Sequence, residues 1–185
     1  MASVELLNKL AMALLEDGDR LTEVLEEEAC MMVGATRGSI FLVDPDSQRL
    51  SGKVDDFQLL DLAAQTASSG MPLNVRCMLT DARVNRHSST PSARSCLCIP
   101  IFYNKSVIAV LQFLDKMNPN AAIYIDTMEI IPFSKADEEV IEMISGHVGL
   151  ALQASKLHMF ARTQSLKSES MIKLSKQLCN QMPEF

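Results

Sequence analysis

The stretch Cys96-Leu97-Cys98-Ile99-Pro100-Ile101-Phe102-Tyr103-Asn104-Lys105-Ser106-Val107-Ile108-Ala109-Val110-Leu111-Gln112-Phe113-Leu114 decides the fold. It is apolar on both sides of a short polar break. A membrane helix needs about 18 apolar residues in succession, and Tyr103-Asn104-Lys105 interrupts the run before that length. Each half has strand length and is rich in β-branched residues, and Asn104-Lys105 is a turn between them. The stretch therefore reads as a β-hairpin buried on both faces. Cys96 and Cys98 are two apart in the first strand, so they face the same side.

Helices lie upstream. Leu6, Leu7, Leu10, Leu14 and Leu15 give Val4–Leu15 a helical stripe. A second helix is expected over Arg20–Met32, with Leu21, Val24, Leu25 and Ala29 on its apolar face. Glu23, Glu26, Glu27 and Glu28 form its wet face, and Gly34 is its C-terminal cap. Arg37–Asp44 and Arg49–Val54 read as a further hairpin around Pro45-Asp46-Ser47. Asp61–Ser69 is helical and stops at Gly70. Pro72 keeps Met71–Val75 extended.

Thr80–Ser95 is a long polar loop, and loops of that length are often functional. Ala121–Ile131 is β-prone. The last helix opens at Ser134, a good N-cap, with Asp137 at its third position. It carries Val140, Ile141, Ile144, Val148, Ala151 and Leu152 on one face and continues toward Leu178, with the more polar Gln164–Glu169 as a place to bend. The resulting fold class is α+β, a mostly antiparallel central sheet flanked by N- and C-terminal helices. Residues 1–158 form the domain and 159–185 a connector helix or tail. Terminal helices with apolar residues to spare imply a homodimer through those helices.

Composition narrows the partners. The chain has 185 residues, 48% of them hydrophobic and 22% charged, enough to bury one real core. A net charge of −6 argues against nucleic acid, which needs a basic face. Arg76, Arg83, Arg86 and Arg94 are the one basic cluster, and solvation explains it. Five cysteines without a secretory leader point to reduced thiols in a cytoplasmic protein. His87, His147 and His158 lack metal-ligand spacing, so no metal site is expected. Nor does any nucleophile–base–orienter set emerge, so no catalytic residue is named and the chain reads as non-enzymatic.

Four phrases in order resemble the GAF domain, most of all the regulatory GAF domains of cyclic-nucleotide phosphodiesterases and some adenylyl cyclases. They are Ser39–Asp44; Ala63–Val75, similar to a helix followed by Gly-x-Pro-Leu-Asn-Ile; Arg94–Ile101 with Val107–Lys116; and Asp115-Lys116 followed after a gap by Phe133-Ser134-Lys135-Ala136-Asp137-Glu138. The last is similar to the family's Asn-Lys…Phe-x-x-x-Asp-Glu, with Asp115 in place of the asparagine. The likeness covers roughly Leu6–Leu157. It implies a structural clasp of Lys116, Phe133 and Asp137, beside which Asp115 would compete for Lys116.

The resemblance also implies a buried cyclic nucleotide, cyclic GMP or cyclic AMP, as a ligand rather than a resident cofactor. The implied contacts are Ser39 at the base of the strand, Asp55 near the purine and Ser89 in the cover loop. Leu62 and Ala63 would lie at the helix start that meets the phosphate. Gln112 falls where some binders have glutamate, and Ala93 where binders often have threonine. Asp61 stands where a glycine precedes that helix, and a carboxylate there would repel a phosphate by about 1–4 kcal/mol. The segment between Asp55 and Leu62 and the loop Thr80–Ser95 are both short for the family.

The resemblance leaves two readings open. One is a regulatory sensor passing a ligand signal to an effector domain, such as a phosphodiesterase, in a longer chain. The other is a ligand-free dimerisation module. A third comparison is the GAF branch that reduces free methionine sulfoxide, which Cys77, Cys96 and Cys98 invite. That branch's cysteine loop is absent, and a nucleophilic cysteine should be exposed rather than in an apolar strand.

Overall fold

A computed structural model describes residues 9, 18–52, 57–84, 92–119 and 130–181, without the side chains of 18–19 and 176–181. The elements in chain order are α1 (Gly18–Val33), β1 (Ala35–Val43), β2 (Leu50–Ser51), α2 (Phe57–Ser69), β3 (Leu73–Val75), β4 (Cys96–Tyr103), β5 (Ser106–Met117), β6 (Ile130–Ile131) and α3 (Lys135–Gln181). The sheet runs β2-β1-β5-β4-β3, with β6 pairing the end of β5. Every pairing is antiparallel. The fold is α+β, as the pattern of runs and stripes implies.

The hairpin at the centre follows from its residues. β4 and β5 pair from Cys96↔Leu114 to Tyr103↔Ser106, with a register shift between Ile101 and Phe102. Asn104 (φ 48°) and Lys105 (φ 66°) are both left-handed, the geometry of a two-residue turn that matches the twist of the strands. Alternation then sends successive side chains into different cores. Leu97, Ile99, Ile101, Leu111 and Phe113 join α1 and α3 on one face. Cys96, Cys98, Val110 and Leu114 join α2 on the other.

Leu21, Leu25, Ala29 and Val33 recur every fourth residue and are buried, which lays α1 along the first face. Gly34 (φ 68°) ends the helix in the left-handed region that glycine adopts freely. A Cβ at Gly38 would run into Cys30, so that glycine lets β1 approach α1. Glu26, expected on the wet face, is half-buried, and its Oε1 accepts a 2.9 Å bond from the Ile40 amide.

α3 has 47 residues in one uninterrupted helix, about 70 Å long at 1.5 Å per residue. The helix is not broken at Gln164–Glu169. Ile141, Ile144, Val148, Ala151 and Leu152 are buried against the sheet, and the side chains described beyond Ser155 are exposed. At Gly149 the helix meets β4 so closely that a Cβ would strike the Phe102 carbonyl oxygen. No helix among the described residues is long and apolar enough to cross a membrane. The helix expected over Val4–Leu15 lies outside the described residues, apart from Lys9, as does most of Ala121–Ile131.

Candidate functional site

Four of the sequence-derived site residues, Ser39, Leu62, Ala63 and Gln112, lie where α2 covers the sheet. Ser39 on β1 is opposite Gln112 on β5, Gln112 is opposite Cys98 on β4, and Cys98 is opposite Leu73 on β3. These four residues form one row across the sheet. Gln112 is buried, and its amide Nε2 donates to the Leu59 carbonyl of α2 at 2.7 Å and to Cys98 Sγ at 3.3 Å. A glutamine in an otherwise apolar strand is thus satisfied by the helix that covers it.

The same helix departs from expectation. α2 begins at Phe57, not at Asp61. Leu62 and Ala63 are therefore interior residues, and the free amides of the first turn belong to 57–60. Leu59, Leu62, Ala63 and Thr66 recur at three- and four-residue intervals and are buried. Their side chains occupy the space between helix and sheet. Asp61 lies within α2 rather than before it, and it faces outward. With Ala64, Gln65, Ser68, Ser69 and Leu73 it lines an open groove of about 810 Å³. Asp55 and Ser89 lie outside the described residues. Ala93 is buried in the core beneath α2.

Cys96 and Cys98 share this face, with their sulfurs 3.6 Å apart. Both are fully buried. The hydrogen bond to Cys98, together with burial, pushes the Cys96 thiol well above its ordinary value. Cys77 is exposed, and hydrogen bonding from Thr80 lowers its thiol. Among the described residues no group of three His, Cys, Asp or Glu could hold a metal ion.

The clasp forms at the far end of β5. Lys116 Nζ lies 2.5 Å from Asp137 Oδ2. The same carboxylate accepts the Ser134 amide at 2.7 Å, while Ser134 Oγ accepts the Asp137 amide at 3.3 Å. This is a capping box built with aspartate. Burial pushes the Asp137 carboxyl up, but Lys116 and Ser134 outweigh it and hold it below 3.8. Phe133 is buried beneath this turn, and its carbonyl accepts Asn74 Nδ2 at 3.1 Å.

Asn74 was not singled out by the sequence reading. It also donates to Glu138 at 2.9 Å, and its own carbonyl accepts Arg83 Nη2 at 2.7 Å. Arg83 is held in turn by Asp81, whose carboxyl it lowers to about 2. The available signal was a polar residue between Leu73 and Val75, both of which point into the other core.

Asp115 does not compete for Lys116. Its Oδ1 accepts the amides of Arg94 (2.6 Å) and Ser95 (3.2 Å), and Arg37 lies 3.7 Å from Oδ2. Its backbone is left-handed (φ 54°), a conformation that aspartate and asparagine tolerate better than other side chains.

Known proteins share this fold. The chain is 25% identical over 151 residues to Probable 3',5'-cyclic phosphodiesterase pde-5 of Caenorhabditis elegans, covering 69% of this chain and 19% of that relative. The chain thus spans about a fifth of the relative it matches. The GAF domain of an Acinetobacter phosphoenolpyruvate-protein phosphotransferase superposes with a TM-score of 0.59 at 13% identity, covering 85% of this chain and 96% of that one. Free methionine-R-sulfoxide reductase from Neisseria meningitidis, solved with its substrate, superposes with a TM-score of 0.57 at 16% identity, covering 84% and 91%. At these identities the structures share the fold alone. The model of the GAF domain family matches residues 17–152, which takes in α1, the whole sheet and α3 up to its last buried residue, Leu152. On that match, and on a fold shared with solved GAF domains, this chain belongs to the GAF domain family.

Proposed function

We propose that this chain is a non-catalytic regulatory module that senses a cyclic nucleotide between the sheet and α2 and passes the signal along α3 to an effector domain of a longer protein. The observation that carries the reading is the likeness to a cyclic-nucleotide phosphodiesterase, at the level of sequence. The site chemistry is compatible with it. Ser39, Thr66 and Gln112 supply polar atoms on an otherwise apolar face, the combination that orients a small ligand. Gln112 can present either a donor or an acceptor to a base edge once its bond to Leu59 is exchanged. Entry of a ligand requires α2 to lift from the sheet. The ligand therefore selects a lifted arrangement, and β4, whose other face packs under α3, communicates it.

Isothermal titration with cyclic GMP and cyclic AMP, using linear monophosphates as controls, tests the reading. Saturable binding of one cyclic form is expected, weakened about tenfold in Gln112→Ala by loss of one buried hydrogen bond.

A ligand-free dimerisation module is the second reading. It is favoured by how completely Leu59, Leu62, Ala63 and Thr66 fill the space over Cys98 and Gln112. Absence of binding in the titration selects it.

A further inference from the structure

Cys96 and Cys98 lie two residues apart on β4 and point into the core beneath α2, with their sulfurs 3.6 Å apart. Both are fully buried. Gln112 ties this pair to the helix above it. Its Nε2 donates to Cys98 Sγ at 3.3 Å and to the Leu59 carbonyl of α2 at 2.7 Å. The contacts Cys96–Cys98–Gln112–Leu59 therefore run from two thiols to the helix that covers the sheet. A donor on Cys98 Sγ favours its thiolate, and a second thiol stands beside it.

We infer that Cys96 and Cys98 form a reversible oxidation site, which a small hydroperoxide converts to a disulfide within β4. The Cys98 sulfur attacks one peroxide oxygen. The O–O bond breaks, and the other oxygen leaves as alcohol or water with the proton that Cys98 gave up. Cys98 is then a sulfenic acid. The Cys96 sulfur attacks the Cys98 sulfur, the S–S bond forms and the S–O bond breaks. The hydroxyl leaves as water with the Cys96 proton. Two thiols have lost two electrons and two protons, and the peroxide has gained them.

Geometry sets the character of that bond. Residues i and i+2 of a strand have Cα atoms about 6.6 Å apart, near the upper limit of about 6.8 Å for a disulfide. The sulfurs must close from 3.6 Å to about 2.0 Å, which leaves the bond strained along the strand. Strained disulfides are readily reduced by thiols, so the site is a reversible one and not a permanent staple. Closure also draws Cys98 Sγ from Gln112, and that change reaches α2 through Leu59.

A path leads to the pair. The open groove beside α2 is lined by Ala64 and Leu73, and Leu73 is the β3 residue opposite Cys98. A local opening there admits hydrogen peroxide, which is smaller than common alkylating reagents. Asp61 lines the same groove and disfavours an anionic oxidant such as glutathione disulfide.

The test uses the unaltered, folded chain. It is treated with hydrogen peroxide or with glutathione disulfide, then unfolded, alkylated and cut after arginine and lysine. Cys96 and Cys98 fall together in the peptide Ser95–Lys105, which holds no other cysteine. Peroxide is expected to leave that peptide about 2 Da lighter and without alkyl groups, and dithiothreitol to restore it. Glutathione disulfide should give at least about tenfold less of it. Hydrogen exchange of the amides of 57–69 should be at least about fivefold faster in the oxidised chain. The site is overturned by a peptide alkylated at both cysteines after peroxide, by added oxygen on Cys98 in place of the disulfide, or by a disulfide that forms only in urea. Glutathione disulfide acting as fast as peroxide would overturn the choice of oxidant, and unchanged exchange would overturn the link to α2.

Discussion

The Lys116 ammonium at the end of β5 and the Asp137 carboxylate in the first turn of α3 lie 2.5 Å apart, and the same carboxylate closes the cap of that helix. One side chain thus fixes the sheet to the helix and also starts the helix. Asp137→Ala is expected to lose about 2–4 kcal/mol in urea unfolding, because it strands a half-buried lysine and removes a cap. The pH dependence follows in sign. Asp137 is held below its ordinary 3.8 in the folded state, so the unfolded chain takes up the proton first. Its contribution is complete above pH 3.8 and is lost as pH falls through the lower folded value. Asp137→Asn should flatten that part of the stability profile.

Lys105 occupies a left-handed position (φ 66°) in the tight turn of the central hairpin. Lys105→Gly should raise stability by about 0.5–1 kcal/mol, read as a higher midpoint in urea with an unchanged slope.

Much of this was legible in the chain, for stated reasons. The two apolar, β-branched runs on either side of Asn104-Lys105 located the hairpin, and the stripe that starts at Leu21 located α1. Ser134 and Asp137 located the start of α3. The start of α2 was misread because Phe57, a large apolar residue, is exposed, while Gln58 is buried. The spacing of Leu59, Leu62, Ala63 and Thr66 was nonetheless a helical stripe in plain view. No local pattern announces the left-handed turn at Asp115, and a polar residue between Leu73 and Val75 is the one local sign of the part played by Asn74. Both depend on what the sheet brings near them. Gln112, carried over as a ligand contact, is bonded in this structure to Leu59 and Cys98.

Gly146 and Gly149 are three residues apart in α3 but face different surroundings. A Cβ at Gly146 meets nothing within 4 Å, so Gly146→Ala should stabilise by about 1 kcal/mol through helix propensity. A Cβ at Gly149 meets the Phe102 backbone, so Gly149→Ala should destabilise by about 1–3 kcal/mol. Paired thermal melts check the opposite signs.

The cysteines should separate by reactivity. Cys77 is exposed and its thiol is lowered by Thr80. Burial, with a smaller push from Glu26, raises Cys30 to about 11. Cys96 and Cys98 are shut in the core. Peptide mapping after brief alkylation at pH 7.5 should find Cys77 modified at least about tenfold faster than Cys30, Cys96 and Cys98. Cys96 and Cys98 should react only after unfolding.

The central claim is that a cyclic nucleotide binds under α2, and thermal unfolding with cyclic GMP, cyclic AMP and their linear monophosphates tests it most directly. A ligand present at 100 times its dissociation constant adds about 2.7 kcal/mol, several degrees for a domain of this size. The account predicts such a shift with one cyclic form and none with its linear counterpart. A folded chain whose melting temperature ignores both cyclic nucleotides at millimolar concentration would contradict it.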